Sequence, residues 1–251
     1  MELLRVENIC VAFDKIPVLK DISFSMNKGE LVSILGLSGS GKSTLLNVIS
    51  GLLKPDSGSV FLNEKEITGR PGQVSYMLQK DLLLAYKKII DNVSLPLVIR
   101  GMKKAEARRA AEPYFKQFGL EGTQQKYPSQ LSGGMRQRAA LLRTYLCSKG
   151  LILLDEPFSA LDPITKAMMH KWYLSVAADM GFTTLLITHD VDEAIRLSDR
   201  ICLLSGSPGE IRHTIDITVP RNSREGFDLS PDFLSYKQQI ISRLGANYRL
   251  R

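Results

Sequence analysis

Apolar and polar positions alternate with a period of two in the first third of the chain, the spacing that turns one face of a strand toward a core. Ile22, Phe24 and Met26 stand between polar neighbours, and a turn at Asn27-Lys28-Gly29 leads into Leu31-Val32-Ser33-Ile34-Leu35. That second run is apolar on both faces and ends in glycine, which predicts a central parallel strand covered on both sides. Another turn, Pro55-Asp56-Ser57-Gly58, precedes a short strand expected at Val60 to Leu62. From about Asp81 to Gln137 the spacing becomes helical, and beyond Gly150 strands and helices alternate again. Strands are expected at 151–154, 183–187, 201–204 and 211–219, and helices at 163–180, at 191–197 and from Ser230-Pro231 onward. Asp162-Pro163 reads as an N-cap followed by proline at the first helical position.

Composition narrows the class. The chain has 251 residues, 44% of them hydrophobic and 24% charged, as in a folded globular protein with a sizeable core. The longest apolar run is the five residues from Leu82 to Tyr86, far below the ~20 that span a bilayer. The start Met1-Glu2-Leu3-Leu4-Arg5 does not read as a secretory signal. Cys10, Cys147 and Cys202 are scattered and odd in number, which predicts reduced thiols, and none has metal-ligand spacing. The 33 Lys+Arg outnumber the 26 Asp+Glu by seven; that excess fits nucleic acid, an anionic membrane surface or an anionic ligand. Its position matters more than its size. Residues 87–126 hold nine Lys/Arg and four Asp/Glu, so most of the excess lies in the helical stretch. There it is either a solvated helix face or a docking surface at the membrane. Aromatic interleaving for nucleic-acid stacking is sparse; Tyr114, Phe115 and Phe118 have helical spacing and read as core.

The chemistry begins at Gly36-Leu37-Ser38-Gly39-Ser40-Gly41-Lys42-Ser43-Thr44, a complete phosphate loop between a buried strand and a Leu-rich helix. Its glycines let successive N–H groups curl inward at phosphate oxygens. Lys42 is expected to reach the β- and γ-phosphates, Ser43 to ligate Mg²⁺, and the helix N-terminus to add a favourable potential. The ligand implied is a nucleotide with Mg²⁺. Leu151-Ile152-Leu153-Leu154-Asp155-Glu156 reads as a buried strand ending in two carboxylates at the edge of a sheet where α/β folds bind ligands. Asp155 is expected to hold Mg²⁺, directly or through water, and Glu156 to polarise the attacking water as general base.

Leu131-Ser132-Gly133-Gly134-Met135-Arg136-Gln137-Arg138 resembles the signature motif of ATP-binding cassette (ABC) ATPases, and the resemblance covers nearly the whole chain. It implies that Phe13 stacks on adenine and that Gln79 joins the core to a helical subdomain, reaching the metal. It further implies that Ser159-Ala160-Leu161-Asp162 is the D-loop and that His189 is the switch histidine. Two copies would form a head-to-tail homodimer, with Ser132, Gly133, Gly134 and Gln137 touching the ATP held by the other subunit and Asp162 lying across the interface. Taken singly, Gln79, Ser132 and His189 could be a surface residue, an ordinary N-cap and a structural histidine; their ordered co-occurrence favours the functional reading. For Phe13, stacking and a core-facing strand position both stay open. The fold implied is α/β: a P-loop NTPase core with a mostly parallel sheet, an N-terminal antiparallel β subdomain and an inserted helical subdomain. It is expected as one ABC ATPase domain, with 1–80 and 138–205 as catalytic core, 81–137 as helical subdomain and 206–251 as C-terminal strands and helix.

Within that family, Glu156-Pro157-Phe158-Ser159-Ala160-Leu161-Asp162, Ser207-Pro208-Gly209-Glu210-Ile211 and Val219-Pro220-Arg221 resemble the nitrate, sulfonate, taurine and pyrimidine-precursor importer group. The chain departs from it at Ala85-Tyr86, where a Pro-Trp pair is usual, and at Pro220-Arg221-Asn222-Ser223-Arg224. The resemblance implies an ATP-hydrolysing subunit at the cytoplasmic face of the membrane. It would drive solute import through a separate integral membrane permease, fed indirectly by an extracytoplasmic solute-binding protein. An exporter or lipoprotein-release ATPase is the nearer alternative. A soluble ABC ATPase acting on nucleic acid or ribosomes is the more distant one, since a single phosphate loop and no sustained heptads are present. No nucleic-acid partner is expected, and the tail beyond Leu204 is too short for a sizeable regulatory domain.

Overall fold

The computed structural model describes residues 1–148 and 150–246. In chain order the elements are strands β1 (Glu2–Phe13), β2 (Ile16–Asn27) and β3 (Leu31–Leu35), helix α1 (Lys42–Ile49), and strands β4 (Ser57–Leu62), β5 (Lys65–Glu66) and β6 (Ser75–Met77). Helices α2 (Ile89–Val93), α3 (Leu95–Ile99), α4 (Lys104–Gln117) and α5 (Gly133–Cys147) follow. Then come β7 (Leu151–Asp155), α6 (Pro163–Met180), β8 (Thr183–Thr188), α7 (Val191–Leu197), β9 (Arg200–Ser205), β10 (Glu210–Asp216) and α8 (Pro231–Ala246).

Two sheets organise these elements. The N-terminal one has the order β2-β1-β4-β5 and is antiparallel throughout. The central one has the order β10-β9-β3-β8-β7-β6; its strands run parallel except for the edge strand β10. Period-two geometry in the central strands distributes their side chains to different cores. Leu151 and Leu153 of β7 join Leu185 and Ile187 of β8 in one core, with α1 and the inner face of the antiparallel sheet. Ile152 and Leu154, one residue out of phase, join Leu186 in a second core with α2, α4, α5 and α6. Ile201 and Leu203 of β9 enter a third, under α7 and α8. A strand buried on both faces carries apolar side chains toward both, with polar ones only where a partner is at hand, as Thr184 has in the Tyr173 hydroxyl, which is why β3, β7 and β8 show no hydrophobic alternation.

Some boundaries differ from the sequence expectation. The last strand stops at Asp216 rather than Val219, because the Thr218 N–H is taken by the Tyr236 hydroxyl of α8 at 3.1 Å, and Pro220 follows. The strand expected from Val60 begins at Ser57, where β4 is already paired with Cys10 of β1. The division drawn between residues 137 and 138 falls inside α5, one uninterrupted helix through Cys147. Phe115 and Phe118 are buried core, as expected. No helix among the described residues is long and apolar enough to cross a membrane.

The connectivity brings loops to one edge of the central sheet. The parallel strands β3, β6, β7 and β8 all end there, so the segments after Leu35, Met77, Asp155 and Thr188 converge. Those four segments carry Gly36 to Lys42, Gln79, Asp155-Glu156 and His189.

Candidate functional site

The phosphate loop joins β3 to α1 with little room to spare. A Cβ on Gly36 would lie 2.5 Å from the Leu204 carbonyl oxygen, and one on Gly41 2.7 Å from Leu19 Cδ2. Gly41 also has φ +93°, which L side chains rarely adopt. It is the N-cap of α1 and supplies no side-chain acceptor to the helix start, so that terminus is open to an external anion. Lys42 is folded back over the loop: its Nζ donates to the carbonyls of Gly36 at 2.9 Å and Leu37 at 2.7 Å. Burial holds its pKa below the usual lysine value, against the pull of Glu156 and Asp155.

Beside the loop lies a cavity of about 410 Å³ lined by Val18, Ser38, Gly39, Gly41 to Thr44, Gln79, Asp155 and Glu156. Asp155 ends β7 and is almost fully buried. Its carboxylate accepts hydrogen bonds from the Tyr76 hydroxyl at 3.3 Å and from Ser43. Burial raises the Asp155 pKa, while the bonds from Tyr76 and Ser43 and the charge of Lys42 oppose that rise. Tyr76 in turn is driven well above the ordinary tyrosine value, by burial first and then by Asp155. Ser43, Asp155 and the Gln79 amide oxygen are hard oxygen donors, and the Ser43–Asp155 bond brings the hydroxyl and the carboxylate together at the cavity wall. A small oxygen-seeking dication such as Mg²⁺, bound through one carboxylate plus substrate phosphates, suits such a set.

Glu156, the next residue, has φ +45°. Left-handed backbone is costly for a non-glycine residue and is found where surrounding structure enforces it. Here its N–H is held by the Ile187 carbonyl of β8 at 2.9 Å. The side chain then meets two partners: Oε1 is 2.9 Å from His189 Nδ1, and Oε2 accepts from Gln79 Nε2 at 3.2 Å. Gln79 also donates to Ser159 Oγ at 3.3 Å, and Ser159 donates to the Glu156 carbonyl at 2.9 Å. An ionised Glu156 requires the imidazole proton on Nδ1. The structure thus joins Gln79, Glu156, Ser159 and His189 in one hydrogen-bonded group at the mouth of the phosphate cavity.

Phe13 is 48% exposed at the end of β1, so the core-facing alternative does not hold; it is available for stacking. Ser132 caps α5, its Oγ accepting from Met135 N at 3.3 Å. The start of α5 lies against the D-loop and α6: Leu161, Thr165 and Met169 side chains stand 3.4–3.6 Å from the ideal Cβ positions of Gly133 and Gly134, ordinary contact distances. None of the signature residues lines the phosphate cavity of its own chain. Gln137 is 7% exposed in the single chain and lies on the same face of α5 as Gly134. Gly133 and Gln137 border a second cavity of about 560 Å³ together with Gln79, Asp81, Arg136, Ser159 and Leu161. Asp162 caps α6, accepting from the N–H groups of Ile164 and Thr165 at 3.1 and 3.0 Å; hydrogen bonds from Thr165, hydroxyl and backbone, hold its carboxyl below the usual range.

Sequence reasoning missed two residues that shape the site. Tyr76 braces Asp155 from the neighbouring strand. Arg143 of α5 donates to the carbonyls of Leu82 and Asp81 at 2.8 and 2.6 Å, fixing the segment that follows Gln79. Neither belongs to a motif, and only the pairing of β6 with β7 and the packing of α5 reveal them.

A family model described as ABC transporter matches residues 19–159. The formylaminopyrimidine import ATP-binding protein ThiZ of Halalkalibacterium halodurans is 45% identical over 224 residues, covering 89% of this chain and 87% of that protein. The taurine import ATP-binding protein TauB of Escherichia coli K12 is 34% identical over 247 residues, 96% of this chain and 97% of that protein. Among solved structures, the dimeric bacterial cassette MJ0796 superposes with a TM-score of 0.74 at 29% identity, covering 87% of this chain and all of that one. A post-hydrolysis dimer of the same cassette with ADP and Pi gives 0.73 at 30% identity, with the same coverage.

Proposed function

The chain belongs to the ABC transporter family, and on that basis we propose that it is the ATP-hydrolysing subunit of a solute importer, docked from the cytoplasmic side on a separate membrane permease. The observation that carries the catalytic reading is the convergence of Gln79, Glu156 and His189 at the mouth of the phosphate cavity. The α1 terminus and the phosphate loop bind the β- and γ-phosphates. Lys42 exchanges its two carbonyl acceptors for phosphate oxygens, which make stronger, charge-assisted bonds. Ser43, Asp155 and Gln79 hold Mg²⁺, whose charge offsets that of the phosphates when it is bound. Glu156, its carboxylate oriented by His189 Nδ1 and Gln79 Nε2, accepts the proton of the attacking water. Phe13 stacks on the base. Residues 81–137, with the start of α5 at their end, form a helical subdomain, and 206–251 a C-terminal extension.

A monomer of this kind has an incomplete site. Ser132, Gly133 and Gly134 lie outside the phosphate cavity of their own chain and start a helix, as an anion-facing element supplied to a second copy would. Similarity to a dimeric cassette supports a head-to-tail pair, with Asp162 near its interface. Both named relatives are import ATPases, which favours import over export. The higher identity to the formylaminopyrimidine protein favours a pyrimidine precursor over a sulfonate as cargo, delivered by an extracytoplasmic binding protein.

The test is co-expression of the full chain with candidate multi-span importer permeases from the same genome, co-purification, and ATPase assays in proteoliposomes. Hydrolysis is expected to rise on addition of the binding protein loaded with a pyrimidine precursor. Glu156→Gln in the same complex is expected to keep Mg-ATP bound as a dimer and lose roughly 100-fold or more in turnover. Undiminished turnover in that variant would remove Glu156 from its role; failure to associate with any permease would remove the importer reading.

A further inference from the structure

We propose that Lys166 is a positioning residue for His189, tying the helix that starts at Asp162 to the histidine beside Glu156. This rests on the reading of His189 as part of the catalytic group.

Lys166 sits on the first turn of α6, its N–H donating to the Asp162 carbonyl at 2.8 Å. Its side chain runs inward, and Nζ bridges two carboxylates, Asp190 Oδ2 at 2.6 Å and Glu193 Oε2 at 3.3 Å. Those partners enclose the histidine turn. Asp190 Oδ1 accepts from the Glu193 N–H at 3.1 Å and so caps α7. Thr188 Oγ1 donates to Glu193 Oε2 at 3.2 Å and accepts from the Asp190 N–H at 3.0 Å. The residues on both sides of His189 are therefore held by one network, to which Lys166 supplies the positive charge. His189 itself is 56% exposed at its side chain, and its one described side-chain hydrogen bond is to Glu156. Where the ring stands is thus set at one end by its bond to Glu156 and at the other by its backbone, which the Thr188–Asp190–Glu193–Lys166 network holds.

The chemistry of the cluster points to geometry rather than stability. Glu193 is 3% exposed, and desolvating such charges offsets most of what their pairing contributes. Apolar side chains would fill the same volume at least as stably. What they would not do is fix two carboxylates on either side of an exposed ring. Glu193 Oε1 is buried with no hydrogen-bond partner among the described residues, so an arginine at position 166 has an acceptor for a second N–H.

The experiment compares purified full-length variants in Mg-ATP hydrolysis and thermal unfolding. Lys166→Met is expected to lower kcat about 10- to 100-fold, the scale of a misplaced catalytic group, with KM for ATP within about twofold of wild type. Lys166→Arg is expected to recover most of kcat. Because Lys166→Met leaves the buried acids Asp190 and Glu193 without their cation, the double variant Lys166→Met/Glu193→Gln replaces one of them with a neutral side chain of the same shape. It is expected to regain wild-type Tm while kcat stays low. Recovery of kcat together with Tm in the double variant would overturn the proposal, as would an unchanged kcat in Lys166→Met. His189→Ala separates the two readings. If it is inactive while Lys166→Met is normal, only the positioning role falls; if it hydrolyses ATP at the wild-type rate, the catalytic reading of His189 falls and the positioning role with it.

Discussion

The phosphate-loop end of the molecule and the α5–α6 end are made from the same part, a helix N-terminus, finished in opposite ways. At α1 the cap is Gly41, which brings no side-chain acceptor, and Lys42 adds a cation to the open N–H groups. At α5 and α6 the caps are Ser132 and Asp162, and each places its own oxygen on the N–H groups of its helix. A side-chain cap takes one or two of the four free N–H groups at a helix start, so α1, with none taken, is the most open to an anion, while Ser132 takes one at α5 and Asp162 two at α6. The α5 terminus offers a neutral hydroxyl and two glycine N–H groups to a phosphate brought from outside. The Asp162 carboxylate would repel such a phosphate, so the α6 terminus is not built to bind an anion.

That contrast makes separable predictions. Lys42→Ala has the largest effect: ATP affinity of the isolated chain is expected to fall about 100-fold, from the loss of charge-assisted bonds to two phosphates. Isothermal titration with Mg-ATP measures it directly. Ser132→Ala removes a cap whose bond to Met135 N is 3.3 Å long. Its ATP affinity as a monomer is expected to stay within about twofold, while turnover falls about tenfold through the second copy's site, on the scale of one hydrogen bond lost to a charged group. Weakened ATP binding in monomeric Ser132→Ala would break the comparison, since it would put the signature in its own chain's site.

Local rules of this kind are legible in the chain itself. Asp162-Pro163 announces a cap, Gly36 to Thr44 a phosphate loop, and the unbroken apolar run ending in Asp155-Glu156 a doubly buried strand, because each depends on neighbours within a few residues. What depends on strand order is not legible there. That Tyr76 braces Asp155 follows from β6 lying beside β7, and that Glu156 takes a left-handed backbone follows from its N–H reaching β8. Period-two spacing cannot decide whether Phe13 faces the core, since the ladder of β1 ends at that residue. Helical spacing puts Gln137 on the face of Gly134 but cannot say that Gly134 meets Thr165 and Met169 of α6. Lys166 carries no motif at all; its partners Asp190 and Glu193 lie 24 and 27 residues on, joined to it only by the passage of the chain through β8.

The smallest expected effect concerns what backs the α5–α6 end. His170 of α6 is 2% exposed, its ring 5.0 Å from that of Phe158, and neither nitrogen has a hydrogen-bond partner among the described residues. Burial, helped by the charges of Arg196 and Lys166, pushes its pKa down to about 3 from 6.5. The folded state refuses a proton that the unfolded chain accepts, so the contribution is complete above pH 6.5 and is lost as pH falls toward 3, at about 1.4 kcal/mol per pH unit at most. Glu193 works the other way. Burial raises its pKa to about 7 from 4.5, so its contribution is lost as pH rises through that interval and masks part of the histidine's. Subtracting a His170→Leu variant isolates the first group, because Leu keeps the apolar contact with Phe158 and cannot titrate. Between pH 7 and pH 5 the wild type is expected to lose about 2 kcal/mol relative to the variant, a Tm difference of about 4–8 °C for a chain of this size. Parallel Tm curves for the two proteins across that range would mean that acid acts on this end of the molecule through some group other than His170.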